Sequence, residues 1–371
     1  MAQQDIFVTR PCIPPLEEYI DQIRPLWQSK WLTNMGDLHR QLEEALRQKL
    51  GVDRLSLFVN GHLALEGILQ AMELSGEVIT TPFTFASTTH AIVRRGLTPV
   101  FCDIKETDGT IDERKIEALI TEKTSAILPV HVYGNCCNVE AIGQIARHHG
   151  LKVIYDAAHA FGVKLNGKGI GSFGDASIFS FHATKVFNTI EGGAVSFRDP
   201  ALAPALCEAK NFGILDEETV VFAGGNAKMN EFQAAMGLCN LRHFDEEIAK
   251  RQALVTAYCQ QLSGIPGLRM LRQRPGVRPN YAYFPILIEA EEAGTDRDTL
   301  YQALRDYHIF TRKYFYPLIT DFDCYKDQYA QTPLPVAKKI ASQVLTLPLY
   351  GDLGLENVEM ICHAVKKILC K

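Results

Sequence analysis

The sequence predicts an α/β protein: a mostly parallel seven-stranded sheet between two layers of helices, followed by a smaller α+β unit. Three observations carry that expectation. Seven short apolar runs alternate with amphipathic segments between Arg54 and Phe197, the pattern of strands joined by crossover helices. The 371 residues, 47% of them hydrophobic, exceed one ordinary core and suffice for two domains. Beyond Pro266 and Gly267 the chain changes to strands and separate amphipathic helices. The expected division is a large domain over residues 1–250, with an N-terminal loop, and a small domain over 251–371.

Taken in order, WQSKWLTNMG (residues 27–36) is an aromatic loop that either lines a site or covers the core, and Asp37 stands where a helix N-cap belongs. Leu38, Leu42, Ala45, Leu46 and Leu50 share one helical face, which Gly51 ends. Residues 54–59 alternate as a strand, and Asn60-Gly61-His62 turns it into a helix bearing Leu65, Ile68, Leu69 and Met72. Free backbone amides and the positive end of a helix meet at such a turn, which suits an anion or is simply a tight turn.

Further strands are expected at residues 77–81, 99–104, 125–130, 151–155, 176–181 and 194–197, with helices at 86–95, 111–120, 139–149, 200–211 and 230–262. A strand at 281–288 and helices at 296–307 and 355–369 complete the small domain. Residues 169–174 match GxGxxG, but they follow an Asn166-Gly167 turn and precede a strand, so they read as a hairpin linker.

Ligands of such sheets sit outside the carboxyl ends of the strands. Those exits carry Asn60 and Gly61, Phe85, His131 with Tyr133, and Asp156 with His159. The stretch from Leu151 to Gly193 focuses the crevice: an apolar strand ends on Asp156, and SFHATKVFNTIEGG places Lys185 among small and polar neighbours. A lysine that holds an aldehyde as an imine and then moves protons, with a buried acid that keeps a pyridine nitrogen protonated, suits pyridoxal 5'-phosphate. Gly61, the His62 amide and the Ser180 hydroxyl form a phosphate cup on this reading, Phe85 stacks on the ring, and His159 braces its oxygen edge. Each residue also has an ordinary alternative: a surface lysine, a strand-end cap, a core aromatic or a local hydrogen bond.

The motifs WLTNMG, TPFTFAST, PVHVYGN, YDAAHAFG, GSFGDASIFSFHATK, GGNAKMNEFQAAMG and KYFYPL occur in that order. Together they resemble the pyridoxal-phosphate-dependent sugar aminotransferases of the DegT/DnrJ/StrS family over nearly the whole chain. The resemblance implies the aspartate-aminotransferase fold, fold type I of such enzymes. It also implies that Lys185 forms the imine, Asp156 pairs with the pyridinium nitrogen, His159 replaces a ring-contacting Gln or His, Phe85 stacks, and Gly61, His62 and Ser180 hold the phosphate. Asn226 matches an asparagine contributed by the partner subunit, which implies a homodimer with shared sites.

Two positions depart from the family pattern. His62 stands where Thr is usual, so only its backbone amide carries over, and Lys228 stands where Arg is usual, without Arg's bidentate geometry. The lysine at position 185, with His182 three residues before it, argues against the dehydratase branch, which has histidine in its place. The compact VFNTIEGG resembles the branch that aminates C4 of nucleotide-linked 4-keto-6-deoxyhexoses, with dTDP the expected nucleotide and L-glutamate the donor, for bacterial surface polysaccharide; 3-amino enzymes tend to carry a longer NLGALGD segment. Thr33, His131, Glu191 and Tyr316 are candidates for the sugar side, each with a structural role equally open. The alternatives are a 3-keto sugar aminotransferase, a sugar dehydratase and a non-catalytic nucleotide-sugar binder.

A formal net charge of -5 offers no field for nucleic acid or an anionic membrane. No apolar run has the length of a membrane span, and the first twenty residues lack a signal peptide's basic start and apolar core, so a cytoplasmic protein with reduced cysteines is expected. Cys136 and Cys137 lie between His131 and the pair His148 and His149, but adjacent cysteines lack metal-ligand spacing and read as small buried hydrophobes.

Overall fold

Seven strands build the central sheet of the computed structural model, which describes residues 5–369. They are β1 (Leu55–Phe58), β2 (Glu77–Thr80), β3 (Thr98–Phe101), β4 (Thr124–Ile127), β5 (Lys152–Asp156), β6 (Ala176–Ser180) and β7 (Gly193–Phe197). Their spatial order is β1-β7-β6-β5-β4-β2-β3. β7 runs antiparallel to both neighbours, and the other pairings are parallel. The mostly parallel seven-stranded sheet expected from the sequence is the one observed.

Alternation along each strand sorts its side chains into two cores. Leu57, Ile79, Ile127, Val153, Tyr155 and Ala194 face one layer of helices, α1 (Asp37–Leu50), α4 (Val139–His149) and α6 (Glu231–Leu262). Phe58, Val78, Ala126, Ile154 and Val195 face the other, α2 (Gly61–Ala71), α3 (Ala86–Arg94) and α5 (Leu202–Lys210). Because both faces are covered, the strands are apolar throughout rather than half polar.

Three local expectations need correction. Residues 111–120 form two 3₁₀ turns, Glu113–Lys115 and Glu117–Leu119. Asp112 accepts from the Arg114 N–H and clamps its guanidinium, and this Asx geometry competes with an α-helical start. The loop at residues 27–36 begins helically, over Leu26–Ser29, burying Leu26 and leaving Trp27, Trp31 and Leu32 exposed.

The third concerns the cap of α1. Asp37 lies inside the helix and Gly36 takes the N-cap position without a capping side chain. The buried carboxylate of Glu231 accepts from the N–H groups of Leu38 and His39 at 2.8 and 3.2 Å, so the first residue of α6 closes the start of α1. Glu231→Ala leaves two buried donors unpaired and is expected to cost roughly 1–3 kcal/mol of stability, read from the denaturant midpoint.

The small unit has an antiparallel sheet, β8 (Leu268–Met270), β9 (Phe284–Ile288) and β10 (Val344–Leu347), packed on α7 (Arg297–Arg305) and α8 (Leu355–Leu369). Residue 250 falls within α6: Ala234, Ala235 and Phe244 pack under the large sheet, whereas Leu254, Tyr258 and Leu262 belong to the small core. Ile6 also lies in the small core, and Ile6–Phe7 pair in parallel with Ile309–Phe310. The GxGxxG segment leaves a hairpin, Lys164–Leu165 against Lys168–Gly169, and reaches β6 through a 3₁₀ turn at Ile170–Ser172. No helix among the described residues is long and apolar enough to cross a membrane.

Candidate active site

The carboxyl edge of the sheet brings together β1, β2, β5 and β6, with the loop from Phe181 to Gly192 joining β6 to the antiparallel β7. Three residues meet tightly there. Gly193 pairs with both Phe58 and Ser180, and a Cβ on Gly193 would approach the Asn60 backbone to 2.6 Å. A Cβ on Gly61 would stand 2.8 Å from that of Ser180, so only glycine lets the start of α2 close on the end of β6.

Asn60 caps α2: its side chain accepts from the Leu63 N–H at 2.8 Å, and its carbonyl from Ala64. The N–H groups of Gly61 and His62 have no protein acceptor among the described residues. Together with the Ser180 hydroxyl they form a donor cup at a positive helix end. The His62 imidazole is tied elsewhere, to Ser87 Oγ at 2.9 Å and Glu66 Oε1 at 3.0 Å. Only its backbone amide is therefore directed to the cup.

Asp156 ends β5 with its carboxylate buried. Oδ1 accepts from the Ala158 N–H at 3.0 Å and Oδ2 from the Thr88 hydroxyl at 2.7 Å. Burial pushes the carboxyl above its ordinary range, against the lowering effect of Thr88, Ala158 and the positive charge of Lys185. A cation beside this group would offset the desolvation.

Lys185 projects from the β6–β7 loop, and its Nζ donates to the Tyr283 hydroxyl at 3.3 Å. Lys185, His159, Ser180, Ala158 and Tyr283 line one narrow cavity. Burial, aided by the Lys185 charge, drives the His159 ring well below its ordinary value and keeps it neutral. Its Nδ1 accepts from the Tyr133 N–H at 3.1 Å, so the ring proton resides on Nε2. His159 thus offers a donor, not a base.

Phe85, expected either to stack on a ring or to fill the core, is 59% exposed at the N-cap of α3. Thr33, Glu191 and Tyr316 are exposed as well. Glu191 faces His182 at 3.6 Å, and the Arg297 guanidinium covers the Tyr316 ring at 4.7 Å. His131 is fully buried: its ring stacks on Tyr155 at 4.7 Å and its Nδ1 accepts from the Cys137 N–H, so it packs against β5 in the core. Cys136 and Cys137 are buried beside it, and burial pushes the Cys136 thiol up to about 12.

Asn226 is exposed, bridged to Asn211 and outside the lining of that cavity, while Lys228 donates to Asn211 Oδ1 at 2.5 Å and lies 5.0 Å from the Phe212 ring centre. Sequence reasoning missed Thr84, Thr88 and Tyr283. The two threonines stand four apart at a helix start, a visible clue; Tyr283 arrives from the segment just before β9, and nothing local marks it.

A model of the DegT/DnrJ/EryC1/StrS aminotransferase family matches residues 16–366. The chain belongs to that family. It is 43% identical over 366 residues to a dTDP-4-amino-4,6-dideoxy-D-glucose transaminase of Shigella dysenteriae, covering 99% of this chain and 100% of the relative. The solved structure of DesI in the presence of its TDP-sugar product superposes with a TM-score of 0.95 at 34% identity, over 99% of this chain and 94% of that one. The pyridoxal-phosphate form of a sugar aminotransferase from Streptococcus pneumoniae gives 0.91 at 25% identity, over 98% of both chains. This family member is therefore a pyridoxal-phosphate-dependent aminotransferase. The site fits the cofactor: a donor cup that a Cβ would fill, a buried carboxylate held by neutral donors, and a lysine in the adjoining cavity.

Proposed function

We propose that this enzyme moves an amino group from L-glutamate to the C4 carbonyl of a dTDP-linked 4-keto-6-deoxyhexose, giving a 4-amino-4,6-dideoxy sugar for a surface polysaccharide. The 43% identity to a transaminase of that name, over all of the relative's length, carries the reading. Pyridoxal phosphate supplies an aldehyde that binds amines covalently and a protonated ring that withdraws electrons from the attached carbon.

The chain's own residues do the rest. Lys185 would hold the cofactor's aldehyde, and its amine would serve as the chain's proton carrier at the substrate carbon. Asp156 would keep the ring nitrogen protonated, and His159 would donate from Nε2 to the ring's oxygen edge. Phe85 would stack on the ring, and the Gly61 and His62 amides and the Ser180 hydroxyl would hold the phosphate. Thr33, Glu191 and Tyr316, all exposed, are assigned to the sugar nucleotide.

The working unit on this reading is a homodimer in which the partner subunit contributes Asn226 to the phosphate. Phe212, Ile214, Leu215, Val220 and Val221 form an exposed apolar segment just before Asn226, which a second copy would cover. The described cysteines are free thiols, as suits the cytoplasm.

The assignment is tested by offering L-glutamate with a panel of 4-keto and 3-keto nucleotide sugars and analysing the products by mass spectrometry and NMR. The expected product carries its amine on C4 of the dTDP-linked 6-deoxyhexose. Amination of the 3-keto sugars alone, or dehydration without 2-oxoglutarate, would refute it.

A further inference from the structure

Asp156 is served by a chain of hydroxyls as well as by the backbone. Thr88 Oγ1 stands 2.7 Å from Asp156 Oδ2 and 2.8 Å from Thr84 Oγ1. Both threonines are buried, Thr88 fully. An ionised carboxylate only accepts, so the single hydroxyl hydrogen of Thr88 points to Asp156. Thr84 must then donate to Thr88, and the two hydroxyls align toward the carboxylate. The same turn carries Phe85, whose carbonyl accepts from the Thr88 N–H at 3.3 Å.

We propose that Thr88, polarised by Thr84, is a positioning residue that holds the Asp156 charge in place and so keeps the cofactor's proton on its ring nitrogen. The inference rests on the assignment of Asp156 to that nitrogen. The physical logic is a competition for one proton. Burial favours the neutral acid, which would draw the proton off the ring, whereas a donor 2.7 Å from Oδ2 stabilises the anion and leaves the proton where electron withdrawal needs it. Thr88 also fixes the carboxylate plane to the helix that presents Phe85, so ring stack and nitrogen partner share one rigid turn.

Hydrogen bonds to charged groups are strong enough that Thr88→Val, which keeps the shape and removes the donor, should lower kcat roughly ten- to a hundred-fold. Thr88→Ser, which restores the hydroxyl, should recover most of that loss. The decisive readout is the ¹⁵N NMR shift of ring-labelled pyridoxal phosphate bound to the enzyme. Thr88→Val should move it toward the unprotonated value and Thr88→Ser should return it; a wild-type shift in folded Thr88→Val overturns the proposal. If Thr88→Val does not fold, Thr84→Val decides: a smaller displacement in the same direction supports the chain, and an unchanged shift overturns it. An unprotonated nitrogen in the wild-type enzyme refutes the role of Asp156 itself and this inference with it, whereas a protonated wild type with an unresponsive Thr88→Val refutes only the latter.

Discussion

Lys185→Ala should abolish the near-visible absorbance of the bound cofactor and all measurable transamination, while the far-ultraviolet circular dichroism stays that of the wild type. Among the described residues its Nζ has one hydrogen-bond partner, the Tyr283 hydroxyl at 3.3 Å, so little folding energy depends on it. The loop that bears it is anchored by other groups: Asn188 accepts from the Ile190 N–H and donates to the Cys12 carbonyl, and Asn240 donates to the Asn188 carbonyl. The side chain is thus separable from the scaffold. On the proposed mechanism no other residue replaces it, because one amine must both hold the aldehyde and carry the proton. Retained turnover with a sugar substrate would remove Lys185 from its assigned place.

Asp156→Asn should reduce kcat by about 10²–10³-fold, the usual size of a lost preorganised charge. Asparagine keeps the shape and a hydrogen-bonding oxygen, but it cannot hold a proton on a pyridine nitrogen by charge. The cofactor-free protein should respond in the opposite sense. Burial raises the Asp156 carboxyl, so the folded chain binds its proton more tightly than the unfolded chain. That contribution is present at low pH and is lost as pH rises through the unfolded and then the folded value. Above that value the cofactor-free fold bears a buried charge that Thr88, Ala158 and Lys185 offset only in part, and Asp156→Asn removes it. Thermal unfolding without cofactor should show a melting temperature equal to or above that of the wild type. Wild-type kcat in this variant, or a collapsed fold, would contradict the assigned role.

What was legible in the sequence was what local pattern encodes. β5 ending on Asp156, the loop bearing Lys185 and the Asn60-Gly61 turn each advertise themselves over a few residues, because a strand end, a glycine and a cap are local events. The sheet was legible for the same reason: residues buried on both faces read as short apolar runs. What was hidden depends on distant partners. Glu231 caps a helix whose first turn lies 193 residues away by hydrogen-bond separation, and Tyr283 meets Lys185 across 98 residues. Neither leaves a local mark. At residues 111–120 a local signal was present but outweighed, because the apolar spacing suggested a helix where the Asp112 side chain set a tighter turn. At His131, where a structural role stood open beside a sugar contact, the chain stacks the ring on Tyr155 in the core.

The central claim is that the cofactor is bound through Lys185, beside Asp156. Borohydride reduction of the wild-type enzyme, followed by proteolysis and mass spectrometry, tests it most directly. The account predicts a reduced pyridoxyl group on the peptide containing Lys185 and on no other lysine; modification of a different lysine, or none at full cofactor occupancy, would contradict it.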